Sequence, residues 1–277
     1  MSRISKEQTL TRDSRQTGAP IMMGSIRSDI YGPDTIRISE VIGRKYNNPL
    51  GEWPVEKFHA IFESPPAAKE ILDVGCGRGQ LAIHIARKFN QRICGIEKSE
   101  AMSQVALKNI SKANLTGMIK IINTDFLNSS IKGSRFDIVV SFDVFSYFDE
   151  KDLLFAKLSS MTSPNAVLIF SDYFCTDPKD SETQRLAKRW GISLPGDISY
   201  YSRFLRRHGF ENHSIEDTTS RYRAHWTEMR RRCIDFEPQL LVAVSDQARK
   251  NYLDSIDSIL SATRTGKFGH LLCCAKK

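Results

Sequence analysis

The chain has 277 residues, of which 40% are hydrophobic and 26% charged, the composition of a globular protein with a sizeable core. These values exclude a collagen-like chain, a disordered tail protein and a small disulfide-stapled domain. The balance of 40 Lys and Arg against 32 Asp and Glu gives a net charge of +8. A mild basic excess is compatible with nucleic acid, an anionic membrane, a phosphorylated substrate or no specific partner.

The ends of the sequence and its cysteines favour a reducing compartment. No apolar run reaches the roughly 18 residues that a membrane helix needs, and the segment MSRISKEQTLTRDSRQ is polar with mixed charge, unlike a secretory signal. The six cysteines form no CxxC pair, and no Cys/His spacing matches a zinc site. We therefore expect a cytoplasmic protein with no bound metal and no membrane partner.

Short apolar runs and helical patterns alternate along most of the chain. Residues 1–62 are predicted to form an N-terminal arm and a helical lid, punctuated by prolines. The predicted strands cover residues 70–74, 92–97, 118–123, 136–142, 166–173, 211–217 and 269–275. The predicted helices cover residues 81–88, 99–112, 199–208, 222–236 and 239–263, with a further one opening near 149–150 and another inside 174–198.

This alternation predicts an α/β fold with a doubly wound, mostly parallel sheet, formed by residues 63–277. Ligands of such sheets bind outside the carboxyl ends of the strands, where the strand order reverses. Helical insertions at 174–198 and 222–263 would roof that crevice together with the N-terminal lid.

A glycine loop follows the first predicted strand in the run DVGCGRGQ. Gly75, Gly77 and Gly79 let the backbone turn tightly and approach a ligand, and Glu97 ends the next strand, where a carboxylate can accept both ribose hydroxyls. A dinucleotide fingerprint would have a sixth-position glycine where Gln80 stands. Asp73 can bind the ammonium of an amino acid, so the charge favours a nucleoside with an amino-acid tail, S-adenosylmethionine.

The run ILDVGCGRG resembles the first motif of the class I S-adenosylmethionine-dependent methyltransferases. Glu97 is similar to the acidic residue of their second motif, Asp125 and Phe126 to the pair that contacts adenine, and FDIVVSFDVFSYF to their fourth-strand motif. The resemblance implies a seven-stranded Rossmann-like sheet with GHLLCCAKK as an antiparallel last strand, S-adenosylmethionine as the cofactor and S-adenosylhomocysteine as the product. The implied cofactor-binding residues are Asp73, Gly75, Gly77, Gly79, Glu97, Lys98, Asp125, Phe126, Ser141 and Tyr46.

The catalytic candidates follow the fourth predicted strand. Methyl transfer from a sulfonium is an in-line displacement, so the protein mainly positions the nucleophile and excludes water, and a base is needed only if the nucleophile must lose a proton. Tyr147 either orients or deprotonates an acceptor or forms a wall of the pocket. Asp143 either faces cofactor or substrate or caps the following turn.

The layout resembles the small-molecule branch of this family, with phosphoethanolamine, glycine/sarcosine and sterol or prenyl methyltransferases. The segment IGRKYNNPLGEW is similar to the stretch in which Tyr46 would approach the cofactor, whereas Tyr147 stands where the phosphoethanolamine enzymes have histidine. The resemblance implies a small-molecule acceptor methylated on N, C or O in a roofed pocket, with no nucleic-acid partner. An RNA or protein methyltransferase and a non-catalytic cofactor-binding protein are the alternatives.

The nature of the acceptor stays open at this level. Eight arginines between residues 203 and 232 suit an anionic acceptor or a solvated helix face. The nearby aromatic residues could enclose a methylammonium or an apolar ring, or pack in the core: Trp190, Tyr200, Tyr201, Tyr222 and Trp226. A monomer and a homo-oligomer are equally compatible with the sequence, and the lid could close its own pocket or a neighbour's.

Overall fold

A seven-stranded sheet organises the structure, a computed structural model that describes residues 31–64, 69–129, 131 and 135–277. Its strands are β1 (Glu70–Val74), β2 (Arg92–Glu97), β3 (Ile119–Asn123), β4 (Phe136–Phe142), β5 (Thr162–Cys175), β6 (Asn212–Asp217) and β7 (Phe268–Lys276). The strand order is β3-β2-β1-β4-β5-β7-β6, with β1 to β5 parallel and β7 antiparallel to both of its neighbours. The prediction of a doubly wound, mostly parallel α/β sheet with an antiparallel last strand is confirmed.

Helices connect the strands and cover both faces of the sheet. Their bounds are α1 (Pro33–Val41), α2 (Trp53–Lys57), α3 (His59–Glu63), α4 (Gln80–Phe89), α5 (Glu100–Lys112), α6 (Lys151–Met161), α7 (Ser181–Trp190), α8 (Tyr200–Arg207), α9 (Thr219–Asp235), α10 (Glu237–Ala243) and α11 (Asp246–Arg264), with a short 3₁₀ turn at Phe145–Tyr147. Ser99 caps α5 as predicted, since its hydroxyl accepts a hydrogen bond from the Met102 amide at 3.3 Å.

The strand order reverses between β1 and β4, which are hydrogen-bonded neighbours in the middle of the sheet. β4 is almost wholly buried, as a strand covered on both faces should be. Apolar clusters on the two faces of the sheet enclose it, one centred on Val139 and Phe170 and the other on Ile138 and Val140. The crevice at the carboxyl ends of β1 and β4 is therefore the position at which this fold binds ligands.

Four helices lie over these strand ends, and we call them the roof: α1, α7, α9 and α11. They share one apolar cluster, to which Leu240 of α10 also belongs. Trp190 of α7, Trp226 of α9 and Ile256 of α11 belong to that cluster. Among the described residues, no helix is long and apolar enough to cross a membrane.

The helices after β6 depart from the predicted elements in two places. The predicted helix 239–263 is two helices, because Val244 is extended between them and the Ser245 hydroxyl caps α11 by accepting from the Ala248 amide at 3.2 Å. α9 begins at Thr219, three residues before the predicted insertion boundary at 222. The arm over residues 1–30 and the segment 65–68 beside the predicted boundary at 62 lie outside the described residues, so the division into lid and domain stays a prediction.

Candidate active site

The glycine loop after β1 has a backbone that glycine favours. Gly75, Gly77 and Gly79 have φ angles of 75°, 55° and 73°, in the left-handed region that other residues rarely adopt. The amides of Gly75 and Cys76 donate to the Ile96 carbonyl at 2.8 and 3.1 Å, which ties the loop to the end of β2. A Cβ at Gly77 would lie 2.6 Å from the side-chain nitrogen of Asn47, so the lid approaches the loop at van der Waals distance.

Glu97 lies at the end of β2 and faces this loop. Its Oε2 accepts from the Gly77 amide at 2.8 Å and its Oε1 from the Ser99 amide at 2.7 Å. Burial raises the pKa of Glu97, although both amide donors act in the opposite direction. Each carboxylate oxygen keeps a second lone pair, so the fixed carboxylate can accept further hydroxyl donors.

Asp73, at the carboxyl end of β1, is 3% exposed. Its Oδ2 atom is buried without a hydrogen-bond partner among the described residues. Burial, with a smaller contribution from Glu97, raises the pKa of Asp73 to about 7. Asp73 lines a cavity of about 40 Å³ with Tyr46, Asn48 and Gly75. An unpaired buried carboxylate oxygen is costly, and a cationic group in this cavity would satisfy it.

The other predicted cofactor residues occupy the neighbouring strand ends. Lys98 forms an ion pair with Asp125 at 2.7 Å, and the other Asp125 oxygen accepts from the Leu127 amide at 3.0 Å. Phe126 is buried beside them. The fully buried Ser141 hydroxyl donates to the Val74 carbonyl at 3.0 Å. Ser141 thus joins β4 to β1 at the switch point, and its contact with a cofactor stays a prediction.

A cavity of about 1050 Å³ lies between the strand ends and the roof. Its walls include residues of the lid, the strand ends and the roof, among them Tyr31, Asn47, Met102, Asp143, Tyr173, Trp226 and Tyr252. Asn47 borders this cavity and the small one beside Asp73. The lid residue that approaches Gly77 is therefore a wall common to both spaces.

Tyr147 and Asp143 occupy different environments. The Tyr147 hydroxyl is 2.6 Å from the Tyr31 hydroxyl, and burial raises the pKa of both phenols above their ordinary range. Asp143 lines the large cavity with 11% of its side chain exposed. Its Oδ1 accepts from the Ser171 hydroxyl and from His270 Nε2, each at 2.7 Å. Asp143 is thus the catalytic candidate that lines the cavity directly. Tyr147 contacts Tyr31, which lines the cavity.

Two arginines that the sequence reasoning did not single out hold the lid in place. Arg78 of the glycine loop donates to the carbonyls of Arg44 and Lys45, at 2.6 and 3.2 Å, and to Asn47 Oδ1 at 2.9 Å. The Arg44 guanidinium lies 4.7 Å from the centre of the Trp226 ring and donates to the Tyr252 hydroxyl at 3.3 Å. Arg44 also lines the cavity, so a cation from the lid faces the space under the roof.

Several arginines of the stretch 203–232 form ion pairs on the surface of the protein. Arg230 pairs with Asp257 at 2.7 Å, while Arg231 and Arg232 pair with Glu228, each at 2.8 Å. Outside this stretch, Arg44, Arg185, Lys188 and Arg189 line the cavity. Of the two interpretations of the stretch, the structure supports the solvated, ion-paired helix face. No group of three or more His, Cys, Asp or Glu side chains in the described ranges could hold a metal ion.

Comparison with known proteins agrees with this geometry. Residues 71–165 match a family model described as a methyltransferase domain. This segment runs from β1 through the glycine loop into β5 and includes the candidate cofactor residues from Asp73 to Ser141. The resemblance predicted from the glycine loop is thereby confirmed.

Relatives of this methyltransferase domain are small-molecule enzymes. The chain is 26% identical over 223 residues to a phosphoethanolamine N-methyltransferase from Arabidopsis thaliana, covering 80% of the chain and 44% of the relative. It is 22% identical over 213 residues to a sarcosine/dimethylglycine N-methyltransferase from Halorhodospira halochloris, covering 76% of each protein. The chain thus spans less than half the length of the plant relative.

A solved structure shows the same fold over most of the chain. It is a phosphoethanolamine N-methyltransferase from Haemonchus contortus in complex with phosphomonomethylethanolamine and S-adenosylhomocysteine. The TM-score is 0.81 at 18% identity, covering 93% of this chain and 60% of that one. The methyltransferase family match ends at residue 165, so the roof helices α7, α9 and α11 lie outside it.

Proposed function

We propose that this chain transfers a methyl group from S-adenosylmethionine to a small-molecule acceptor. The observation that carries the proposal is the buried, unpartnered Asp73 oxygen beside the glycine loop. It marks a place for a cationic group next to Glu97, a second carboxylate that suits ribose hydroxyls. A nicotinamide dinucleotide has a diphosphate and no ammonium, so it fits this pair of carboxylates poorly.

The described residues fit S-adenosylmethionine as a whole. Asp73 would hold the ammonium of its methionine part, with Tyr46 beside it. Glu97 would accept the ribose hydroxyls, while Asp125 and Phe126 at the end of β3 would meet adenine. The positive-φ backbone of Gly75, Gly77 and Gly79 lets the ligand approach the loop. Lys98 and Ser141 would act through their bonds to Asp125 and Val74.

The bound cofactor would supply an activated methyl group and a neutral leaving group. The protein's own part is to hold the acceptor in line and to exclude water. Arg78 fixes the lid over the loop, and the Tyr31–Tyr147 contact closes the lid against the turn after β4. Asp143 faces the cavity and would accept a hydrogen bond, or a proton, from the acceptor's nucleophile.

The cavity favours an amine as the acceptor. A carboxylate at Asp143 and the rings of Tyr173 and Trp226 suit a partly methylated ammonium. Arg44, which also lines the cavity, suits an anionic group on the same molecule. The phosphoethanolamine and sarcosine enzymes among the relatives act on amines with an anionic group, which supports the same choice.

The proposal is tested by calorimetry with S-adenosylhomocysteine and then by an acceptor panel with labelled S-adenosylmethionine. The panel would contain phosphoethanolamine, glycine, sarcosine and a prenyl diphosphate, with products identified by mass spectrometry. We expect micromolar product binding and transfer to an amine. No binding at millimolar S-adenosylhomocysteine would refute the proposal, and binding without turnover of any acceptor would favour a non-catalytic cofactor-binding protein.

We also propose that the chain acts in the cytoplasm, without a nucleic-acid or membrane partner. All six cysteines are free, which agrees with a reducing compartment. Arg230, Arg231 and Arg232 of α9 are each paired with a carboxylate, so they are not free to bind a phosphate backbone. A roofed cavity suits a small molecule better than a polymer.

A further inference from the structure

His270 of β7 forms a buried pair with Asp143 across the sheet. Its Nε2 lies 2.7 Å from Asp143 Oδ1, and the imidazole is completely buried whereas Asp143 reaches the cavity. The pair joins residues 127 positions apart in the sequence. Because a carboxylate oxygen only accepts, Nε2 carries the proton of this bond.

The environment of His270 fixes the orientation of its ring. Nδ1 lies 2.6 Å from the Thr218 hydroxyl, so both ring nitrogens have partners. The Tyr222 ring stacks on the imidazole at 4.5 Å with an angle of 13°. The His270 amide also donates to the Thr219 hydroxyl at 3.0 Å. An imidazole bonded at both nitrogens and stacked on one face has a single orientation.

Asp143 needs such support because its backbone is unfavourable. Its φ angle is 60°, a left-handed conformation that a residue with a Cβ adopts at a cost. Its amide donates to the Ser171 carbonyl at 2.9 Å, and the Ser171 hydroxyl donates to Oδ1. Both side-chain donors therefore meet the same carboxylate oxygen, Oδ1, and neither of them bonds Oδ2.

We propose that His270 is a positioning residue, which holds the Asp143 carboxylate towards the methyl acceptor. Asp143 would contact the acceptor and His270 would act only through Asp143. The role of the pair towards an acceptor rests on the proposed function. The Asp143–His270 hydrogen bond is observed independently of it. The triad Thr218–His270–Asp143 thus links β7 to the turn after β4 and orients the carboxylate at the floor of the cavity.

The first test measures the pair without any acceptor. Long-range ¹H–¹⁵N spectra of ¹⁵N-histidine-labelled protein would identify His270 by its loss in His270→Phe. We expect a hydrogen-bonded Nε2 proton in the native protein, and its loss or a large shift in Asp143→Asn. The control His208→Gln removes a surface contact with Asp152 and should leave the His270 signal unchanged. A His270 signal that Asp143→Asn does not move would overturn the pair.

The second test is a double-mutant cycle on the turnover of the amine acceptor. His270→Phe keeps the stacked ring and removes the donor, so we expect kcat to fall on the order of 10-fold with unchanged affinity for S-adenosylhomocysteine. His270→Gln keeps a donor and should recover most of the loss. In the Asp143→Asn background, His270→Phe should lower kcat only slightly further, because the effects of two residues that act through each other are not additive.

The outcomes separate the inference from the proposed function. Equal losses from His270→Phe in both backgrounds would overturn the positioning role, and so would a fall in cofactor affinity parallel to kcat. Failure of the native chain to bind S-adenosylhomocysteine would refute the proposed function and leave the spectroscopic result on the pair standing.

Discussion

Asp73 combines deep burial with a charge that the unliganded protein does not neutralise. Burial raises its pKa to about 7, so the folded chain keeps a proton that the unfolded chain loses near pH 4. The free energy of unfolding therefore has its full contribution from Asp73 at low pH, where the carboxyl group is protonated in both states. That contribution is lost as the pH rises towards 7. The position is suited to a cation, because a bound ammonium would stabilise the ionised form.

This titration predicts that cofactor-product affinity depends on pH. Between pH 6 and pH 7.5 the dissociation constant of S-adenosylhomocysteine should fall roughly five- to tenfold as Asp73 ionises. Asp73→Asn should bind more weakly and show little pH dependence, and the exposed Glu211→Gln should behave like the native chain. Calorimetry at both pH values measures this. A dependence that survives in Asp73→Asn would assign the titration to another group, with Glu97 as the first candidate.

The same substitution should change stability with the opposite sign. Asp73→Asn removes the buried carboxylate, so we expect the unliganded variant to gain on the order of 3 kcal/mol in unfolding free energy at pH 8. At pH 4 the gain should vanish. Urea unfolding at the two pH values provides the measurement, and an equal effect at both would contradict the assigned pKa.

Gly77 offers a steric test of the lid and loop contact. Gly77→Ala places a Cβ 2.6 Å from the Asn47 side chain at a φ angle of 55°, so we expect affinity for S-adenosylhomocysteine to fall at least tenfold. Gly117→Ala is the matched control, because a Cβ there meets nothing within 4 Å. The double variant Gly77→Ala/Asn47→Ala should recover part of the affinity by removing the clash. Native affinity in Gly77→Ala would show that the lid does not approach the loop as described.

At the scale of elements, Arg78 bonds the glycine loop directly to the lid. Arg78 is buried, and it donates to two lid carbonyls and one lid side chain. The loop that would hold the cofactor is therefore bonded directly to the segment that would cover it.

This connection predicts that Arg78→Ala loosens the lid. The carbonyls of Arg44 and Lys45 would lose their donor, so hydrogen exchange over residues 42–48 should rise, and affinity for S-adenosylhomocysteine should weaken. Arg87→Ala on the exposed face of α4 is the control. Hydrogen exchange with mass spectrometry checks it, and unchanged protection in Arg78→Ala would show that the other lid contacts hold residues 42–48 without Arg78.

The bounds of the strands were predicted more accurately from the sequence than those of the helices after β6. Three of the strands begin and end where the sequence predicts, since a short apolar run between turn residues defines a buried strand. The division between α10 and α11 was missed although Ser245 and Asp246 are typical helix-start residues. A continuous helical pattern over 239–263 outweighed them in the prediction.

The residues of the candidate site also differ in how far the sequence predicts them. The glycine loop and Glu97 are local in sequence and were predicted from spacing. The Asp143–His270 pair depends on β7 lying beside β5, which no local pattern in either segment reveals. Arg44 and Arg78 were missed because a buried guanidinium is recognised by its partners in space. Arg78 bonds a carbonyl 34 residues away, and Arg44 bonds the Tyr252 hydroxyl 208 residues away.

For the molecule as a whole, the net charge of +8 is distributed so that it favours no polymer. The arginine-rich α9 is largely paired with acids on α9 and α11, and Arg44 faces inwards. Guanidinium groups that are already paired with carboxylates would neutralise few phosphates, so binding would release few of the counterions condensed on the nucleic acid. We therefore expect a 20-nucleotide single-stranded RNA to bind more weakly than about 10⁻⁶ M at physiological salt. Fluorescence anisotropy between 50 and 200 mM salt would measure it.

The charge variant Asp257→Asn provides the contrast for this expectation. It frees Arg230 from its partner at 2.7 Å, so RNA affinity should rise slightly and become more dependent on salt. Glu211→Gln changes the net charge equally without freeing an arginine and should alter binding less. If the native chain already binds RNA tightly with a steep salt dependence, the small-molecule assignment is wrong and the alternative of an RNA methyltransferase takes its place.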